Sequence, residues 1–363
     1  MKSVLEFILI FCLSLKVSIG CCCSFETRTS KIVKKIELGI SKDKITFNGK
    51  EFSKVSESVS KTIVSTKYHK CRVFQIDCIL FDIILCNNSY VIPNFNKFFV
   101  NLTSKPYILA AVKTNNNNCY IVYCEDANFV DYPISLFGEK DTLKIIKIIK
   151  SGKIVNCRCM FYGCSAEYID LNGIDASKIT DMAHMFNSCK NLKYINLINF
   201  NAPNVIDIKG MFKNCVNLKH VNFNNFNAPK INNMRSMFSG CTNLESLDLR
   251  SFDTSKVVST SFMFSGCTKL KYVDLSSFVT SNVTDMSAMF SECTSFESLD
   301  LRNFDTSNVT DMSNMFGGCR NLKYLDIIIS DICKNKYIFS GIIDKYDYDE
   351  ANITLTKKNK VLL

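Results

Sequence analysis

The chain has 363 residues, with 44 Lys plus Arg against 34 Asp plus Glu, a formal net charge of +10, 19 cysteines and no tryptophan. This length leaves room for two or three domains. The positive charge does not indicate a nucleic-acid-binding protein, because residues 160–327 carry 15 Lys plus Arg against 16 Asp plus Glu and so have no basic excess.

Residues 1–20 have the pattern of a secretory signal peptide, in which Lys2 precedes an apolar run over residues 4–15 and small residues follow. We expect cleavage before Cys21 and a secreted or cell-surface protein. A lipid tether at Cys21 is the alternative, and it is not favoured because Ser18 stands where a bacterial lipoprotein carries an aliphatic residue. No later apolar run is long enough to predict a transmembrane segment.

Residues 21–141 contain no repeat and predict a small β-rich domain of no recognised family. Four β-prone runs alternate with polar clusters; they are Lys44–Phe47, Arg72–Cys86, Tyr107–Val112 and Tyr120–Tyr123.

The same segment carries candidate sites of covalent modification. The flank cysteines favour disulfides in an exported domain, with a connectivity that the sequence leaves open. These cysteines are Cys71, Cys78, Cys86, Cys119 and Cys124. Asn87 and Asn101 begin sequons and are glycosylation candidates in a eukaryotic source.

The second half of the chain is an array of seven copies of the string MFxxC, at steps of 25 or 26 residues. A period of this length predicts a solenoid, in which each turn is stabilised by its neighbours. The copies begin at Met160, Met185, Met211, Met237, Met263, Met289 and Met315.

Each copy predicts one short strand and one short helix. In Leu244, Leu247 and Leu249 the apolar residues alternate as on a strand. Further along, Val283, Met286, Phe290 and Cys293 lie at i, i+3, i+7 and i+10, which predicts a helix of about three turns. The slot before the cysteine is often Gly, as expected for a residue in the left-handed conformation. We therefore predict an α/β solenoid with a right-handed coil of parallel strands and helices.

The ends of the array are less regular. Residues 143–159 predict a degenerate first turn, in which Lys144, Lys147, Lys150 and Lys153 would form a polar outer surface. The domain prediction is a signal peptide at 1–20, the β-rich domain at 21–141, the solenoid at 142–329, and a C-terminal cap and tail at 330–363.

The segment Leu299–Cys319, LDLRNFDTSNVTDMSNMFGGC, resembles the repeat of BspA-like leucine-rich-repeat surface proteins, and the similarity covers about residues 154–327. This resemblance implies a leucine-rich-repeat solenoid displayed outside the cell, often linked to adhesion. The earlier copies depart from the consensus, with Asn196 and Asn222 in place of the strand Asp and Thr260 in place of the helix Met.

The repeat cysteines align from turn to turn. Stacked strands bring equivalent residues within about 4.8 Å, but parallel side-chain directions fit a disulfide poorly. We expect buried free thiols. Zinc at Cys157, Cys159 and Cys164 is disfavoured, because no histidine is near in sequence and Cys157 already has a core position.

Outward-pointing strand residues form the candidate partner-binding face, because tyrosine beside mixed polar groups is typical of protein-binding surfaces. The opposing interpretation is that the Asp row is only repeat consensus. The candidates are Tyr168, Tyr194, His220, Tyr272, Tyr324, Asp248, Asp274, Asp300, Asp326, Arg250 and Arg302.

Catalytic motifs are missing from the sequence, which has three histidines and neither GxSxG, HExxH nor a phosphate loop. We therefore predict no enzyme activity and no cofactor. The expected function is interaction or adhesion through the strand face, with a protein or glycan partner. The alternatives are a structural coat component without a receptor, and an unrecognised N-terminal enzyme with the solenoid as targeting module.

Overall fold

The structure is a computed structural model, and it describes residues 38–40, 44–47, 50–63, 70–78, 81, 107–125, 137, 143–197, 200–329, 338 and 352–357. The predicted signal peptide, Cys21, Cys86, Asn87 and Asn101 lie outside these residues.

A small sheet and a short helix come first in the described part of the chain. Strands β1 (Leu38–Ile40), β2 (Lys44–Phe47) and β3 (Lys50–Ser53) form a three-stranded sheet in which β1 and β2 are antiparallel. A short helix α1 (Glu57–Ile63) follows, with Glu57 in its first turn, where an acidic side chain is favourable.

A seven-stranded sheet joins antiparallel strands to the first strands of the solenoid. Its antiparallel part consists of β4 (Lys70–Ile76), β5 (Tyr107–Thr114), β6 (Cys119–Glu125) and β7 (Leu143–Ser151), in the order β4-β6-β5-β7. Strand β7 then pairs in parallel with the first short strand of the repeat. β7 therefore belongs to both parts, and it lies beside the predicted boundary at residue 141.

The predicted strands of the repeat are confirmed as short parallel strands, one in each turn. Most of them are three residues long, so each contributes only one buried side chain between two outward-pointing ones. They are β8 (Tyr168–Asp170), β9 (Tyr194–Asn196), β10 (His220–Asn222), β11 (Ser246–Asp248), β12 (Tyr272–Asp274), β13 (Ser298–Leu301) and β14 (Tyr324–Ile329).

The predicted α/β solenoid is confirmed as a solenoid of stacked coils, but the helix of each coil is not observed. We define a coil as one strand with the MFxxC segment that follows it. Among the described residues the helical elements are α1, a 3-10 turn at Ala176–Lys178, and the helical residues Cys78 and Phe81, where the predicted β-prone run Arg72–Cys86 no longer continues the strand. The segment from Met286 to Cys293 instead forms tight turns.

Backbone hydrogen bonding explains why the helix does not form. The N–H groups of Met286, Ala288 and Phe290 donate to carbonyl oxygens of the next coil at 2.8 Å. The N–H groups of Met289 and Ser291, which alternate with these, donate to carbonyl oxygens three residues back, both at 3.2 Å. In an α-helix each N–H donates to the carbonyl oxygen four residues back in the same segment. Here half of the N–H groups donate to the neighbouring coil instead, so the helix cannot form.

Backbone dihedrals show the same departure from a helix. Ala288 has φ +52° and Glu292 has φ +58°, values that a right-handed helix excludes. All seven coils repeat this left-handed pair, two positions four residues apart. The pairs are Cys159 and Gly163, His184 and Ser188, Gly210 and Asn214, Ser236 and Gly240, Phe262 and Gly266, Ala288 and Glu292, and Asn314 and Gly318. The expected left-handed residue before the cysteine is therefore confirmed.

The core is a set of side-chain ladders. Successive phenylalanines of the MFxxC string stack with ring centroids 5.2–5.9 Å apart and planes within 14° of parallel, and Phe137 extends the stack. A second ring set, which includes Phe252 and Phe278, fills the bend after each strand, as predicted. Burying each ring contributes about 1.5 to 3 kcal/mol, so coil stacking supplies the apolar burial that one coil lacks.

The first coil differs from its prediction at Lys147. This lysine is 5% exposed, and its Nζ lies 3.3 Å from the buried Asp170 carboxylate across the β7–β8 pair. A polar outer surface is therefore wrong for Lys147, which faces the acidic position of the next strand. A buried charge needs such a partner to offset its desolvation.

At the other end, the last coil has partners from residues 338 and 352–357. The Phe316 N–H donates to the Ile338 carbonyl oxygen at 3.0 Å, which replaces the bond to a further coil. Strand β15 (Asn352–Lys357) pairs in parallel with β14. Both contacts provide hydrogen-bond partners for backbone groups that would have none if the solenoid simply ended here.

Candidate functional site

The strand face is the set of outward-pointing residues on β8 to β14. Its Asp and Asn row has a structural task that the sequence analysis missed. The Asp248 Oδ1 accepts a hydrogen bond from the Arg250 N–H at 3.0 Å, and Asp274 accepts the same bond from Ser276 at 3.1 Å. Each carboxylate thus caps the turn at the end of its strand.

The same turn recurs at two further corners of a coil. Asp253 accepts from the Ser255 N–H, and Asp285 accepts from the Ser287 N–H, both at 3.0 Å. The corners of a coil are therefore formed by an Asp or Asn side chain that accepts the N–H two residues later, whatever that later residue is, as at Asp181 with Ala183 and Asp207 with Lys209. This explains most of the Asp residues in the repeat without a ligand.

Between β11 and β14 the strand face has a second period, of two coils, whereas β8, β9 and β10 form one continuous ladder. Strand β11 pairs with β12, and β13 pairs with β14, while no ladder joins β12 to β13 within the described strands. The sequence alternates with the same period. The first strand of each pair lies in the string ESLDLR, and the second lies in KYVDL for β12 and in KYLDI for β14. We call β11 with β12 the first module and β13 with β14 the second module.

An arginine links the two strands of each module. In the first module the Arg250 guanidinium contacts Asp248 at 2.6 Å and Asp274 of the next strand at 3.4 Å. In the second module Arg302 contacts Asp300 at 2.6 Å and Asp326 at 3.9 Å. Each arginine thus reduces the repulsion between carboxylates on adjacent strands.

These contacts set the charge state of the face. Hydrogen bonding from the Arg250 guanidinium holds the pKa of Asp248 below its ordinary value, and Arg302 does the same to the pKa of Asp300. Both carboxylates are therefore fully ionised at neutral pH. A third charge pair, Glu297 with Lys323 at 3.4 Å, lies one residue before the strands of the second module.

The predicted binding residues differ in exposure along the solenoid. Tyr272 is 61% exposed and Tyr324 is 56% exposed, each beside a serine on the paired strand. Tyr168 and Tyr194 are half-buried neighbours near the N-terminal end of the array. The other predicted members are exposed or half-buried, namely His220, Asp248, Asp274, Asp300, Asp326, Arg250 and Arg302.

The structure thus brings together eight predicted residues, on or directly after strands β11 to β14, in two equivalent groups of four. Sequence reasoning placed Ser246 and Ser298 in the same outward row as the tyrosines, but it missed the Glu and Lys positions of these groups. The signal that reveals them is the 52-residue spacing of Glu245 and Glu297, which is twice the repeat.

The cysteine ladder lies on the opposite side of the backbone, in the core. Each thiol from Cys189 to Cys319 donates to the carbonyl oxygen of a phenylalanine in the preceding coil, at 2.9–3.1 Å. The predicted free thiols are observed throughout the ladder. Burial raises the pKa of Cys267 and of Cys319 to about 12, so these thiols are unreactive at neutral pH.

Sequons inside the repeat also have a packing explanation. The Asn282 side-chain amide donates to the Ser255 carbonyl of the preceding coil at 2.6 Å, and Asn308 donates to Ser281 at 2.7 Å. These asparagines hold coils together. In the described part of the chain, no group of three or more His, Cys, Asp or Glu side chains is placed to hold a metal ion.

Comparison with known proteins gives one family match. A profile of the family described as "Mycoplasma protein of unknown function, DUF285" matches residues 155–272 and 241–343, more than half of the chain. No curated protein and no solved structure matches. None of the helices among the described residues has the length and apolar character needed to cross a membrane. The matched residues cover most of the stacked coils, and the profile shows that the chain belongs to the family described as "Mycoplasma protein of unknown function, DUF285".

Proposed function

We propose that this protein is a secreted or surface-displayed interaction protein, without enzyme activity, that binds a protein or glycan partner through the strand face of its two modules. The observation that carries the proposal is the repeated pair of exposed tyrosines, Tyr272 and Tyr324, each held beside a fixed charge pattern. The BspA-like resemblance supports display outside the cell.

Stability does not explain this arrangement. The phenylalanine and cysteine ladders already fill the core, and exposed ion pairs contribute only about 0 to 1 kcal/mol each. A tyrosine that is more than half exposed contributes little burial to folding. It is, however, an effective contact residue, because its ring is large and its hydroxyl can hydrogen-bond.

The arrangement is also preorganised. Each arginine is held by two carboxylates on adjacent strands, and each strand is fixed by the parallel ladder. A partner that contacts these groups has little side-chain freedom to remove on binding.

The test uses replacements that other coils already carry at the same positions. Tyr272→Ser and Tyr324→Ser follow Ser246 and Ser298, while Arg302→Ser follows Ser276. All three keep the turn-capping aspartates. The control variant combines Lys256→Ala with Val258→Thr, two exposed residues outside the strand face.

The full chain is immobilised and presented to a glycan array and to surface proteins solubilised from neighbouring cells. We expect each tyrosine replacement to weaken binding about tenfold or more, and the double replacement to abolish it, with the control variant unchanged. Equal binding by the control and the double tyrosine variant would place recognition elsewhere. It would favour the coat-component alternative, in which solenoids pack on one another.

A further inference from the structure

We propose that Cys78 and Cys119 form a second disulfide, which is exchangeable with external thiols and fastens the end of the β4–β6 pair opposite to the Cys71–Cys124 bond. The inference does not depend on the proposed binding function. It rests on the placement of three cysteines on the adjacent strands β4 and β6 and of a fourth, Cys78, two residues beyond the end of β4.

The first disulfide fixes one end of this pair. Cys71 and Cys124 lie directly opposite each other on antiparallel strands β4 and β6, and they are bonded. At the other end of the ladder, Ile76 pairs with Cys119. Cys78 lies two residues after Ile76, so a second cysteine is close to Cys119 at this end of the strand pair.

The two sulfur atoms are already in contact. The Cys78 Sγ lies 3.0 Å from the Cys119 Sγ, and both thiols point to the Asn117 carbonyl oxygen, at 3.0 and 3.6 Å. Bond formation at about 2.05 Å requires an approach of about 1 Å, which side-chain rotation can supply. Asn117 itself has φ +60° in the turn between β5 and β6, so the bond would also tie β4 to this turn.

The two partners differ in accessibility, and this gives the reaction an order. Cys78 is exposed, whereas Cys119 is 1% exposed. The Cys78 thiolate attacks one sulfur of a small disulfide donor, forms a mixed disulfide and releases the first thiol. Cys119 then attacks the Cys78 sulfur, transfers its proton to the departing thiolate and releases the second thiol. The protein loses two electrons and two protons, and the donor gains them.

Exposure also sets this bond apart from its neighbour. Cys124 is fully buried and Cys71 is half-buried between paired strands, whereas Cys78 is an exposed residue. We therefore expect a mild reductant to open the Cys78–Cys119 bond before the Cys71–Cys124 bond.

The test treats the folded full chain with oxidised glutathione, then denatures it in an alkylating reagent and maps the peptides by mass spectrometry without reduction. We expect a cross-linked peptide pair joining Cys78 to Cys119, and a loss of both alkyl adducts at these positions. Cys241 and Cys267, adjacent thiols in the buried ladder, serve as internal controls and should remain alkylated. Recovery of alkylated Cys78 and Cys119, or a bond from either to another cysteine, would overturn the proposal.

A single-site variant tests the order of the two steps. In Cys119→Ser the resolving thiol is missing, so glutathione should remain attached at Cys78 and raise the peptide mass accordingly. In Cys78→Ser, Cys119 should take up no glutathione, because it is buried. Attachment at Cys119 in that variant would contradict the proposed order and the role of Cys78 as the exchangeable sulfur.

Discussion

The Cys293 thiol donates a hydrogen bond of 3.1 Å to the carbonyl oxygen of Phe264 in the preceding coil. The same oxygen also accepts the Cys267 N–H at 3.0 Å, so one carbonyl joins its own coil to the next. The cysteine of the repeat is therefore a donor within the core, and it has no need of a metal or a disulfide.

The first prediction concerns the redox state of this ladder. Denatured, non-reduced protein should yield seven alkylated cysteines from Cys164 to Cys319, whereas the folded protein should resist alkylation there because the thiols are buried and protonated. Mass spectrometry after alkylation measures both states. Quantitative disulfide bonding of neighbours such as Cys241 and Cys267 would show that the ladder is oxidised.

The second prediction concerns the phenylalanine ladder. Phe290 is fully buried and stacks on Phe264 and Phe316 at 5.5 and 5.8 Å. Phe290→Ala should lower the free energy of unfolding by about 3 to 5 kcal/mol, through lost burial and the cavity left between coils. Tyr272→Ser, in the strand of the same coil, should change the free energy of unfolding by less than about 0.5 kcal/mol. Denaturant titration compares the two; similar losses would mean that the strand face also holds the fold.

The third prediction concerns the left-handed positions. Glu292 is exposed at φ +58°, and the equivalent residue in four other coils is Gly. Glu292→Gly should stabilise the protein by about 0.5 to 1 kcal/mol, because relief of the unfavourable φ exceeds the greater freedom of glycine in the unfolded chain.

The matched reverse change is Gly266→Ala. Gly266 has φ +75°, and an added Cβ would meet nothing closer than 3.6 Å, so only the backbone conformation opposes it. We expect a loss of about 1 to 2 kcal/mol. Thermal or denaturant unfolding checks both variants, and a stabilising Gly266→Ala would contradict the left-handed assignment.

The fourth prediction concerns Thr260, which replaces the methionine of the repeat. Its Oγ1 is buried and has no hydrogen-bond partner among the described residues. Thr260→Val should therefore raise stability by about 1 to 2 kcal/mol.

Thr254 provides the control, because it is equally buried but its hydroxyl both donates to the Val279 carbonyl at 3.2 Å and accepts the Val279 N–H at 2.8 Å. Thr254→Val should lower stability by about 1 to 3 kcal/mol. The two substitutions should thus change the free energy of unfolding in opposite directions, which denaturant titration measures. A loss of stability in Thr260→Val would mean that the Thr260 hydroxyl is hydrogen-bonded in solution.

The fifth prediction concerns pH. Burial, with the charges of Lys209 and Arg158 nearby, lowers the pKa of His184 to about 4. As the pH falls, the His184 imidazole of the unfolded chain binds a proton near pH 6.5, whereas that of the folded chain stays neutral until about pH 4. The contribution of neutral His184 to folding stability is therefore complete above pH 6.5 and is lost as the pH falls toward 4.

His184→Asn removes the titration and keeps a residue type that accepts positive φ, as at Asn214. Between pH 7 and pH 4.5 the wild type should lose about 1 to 2 kcal/mol more than the variant, after allowance for solvent screening of a half-buried ring. Unfolding curves across this range provide the measurement, and parallel pH profiles would contradict a depressed histidine pKa.

The sequence by itself determined the repeat, its seven copies, the strand of each coil and the burial of its Met, Phe and Cys positions. These depend on a 26-residue period and on alternation along a strand, both of which are local. It also determined which residues point outward at Tyr272 and Tyr324. The predicted helix failed because side chains at i, i+3 and i+7 fit two different backbones, one helical and one with a left-handed residue at every fourth position.

Only the tertiary structure decided between those backbones, because half of the N–H donors in the segment from Met286 to Cys293 find their acceptors in the next coil. A pattern of residues within one coil does not predict whether its N–H groups bond within that coil or to the next one. The same holds for Lys147, whose burial depends on Asp170 of the neighbouring strand, and for the Arg250 and Arg302 bridges, which need two strands in register. The sequence thus specified what each coil buries, and stacking specified how its backbone and charges are satisfied.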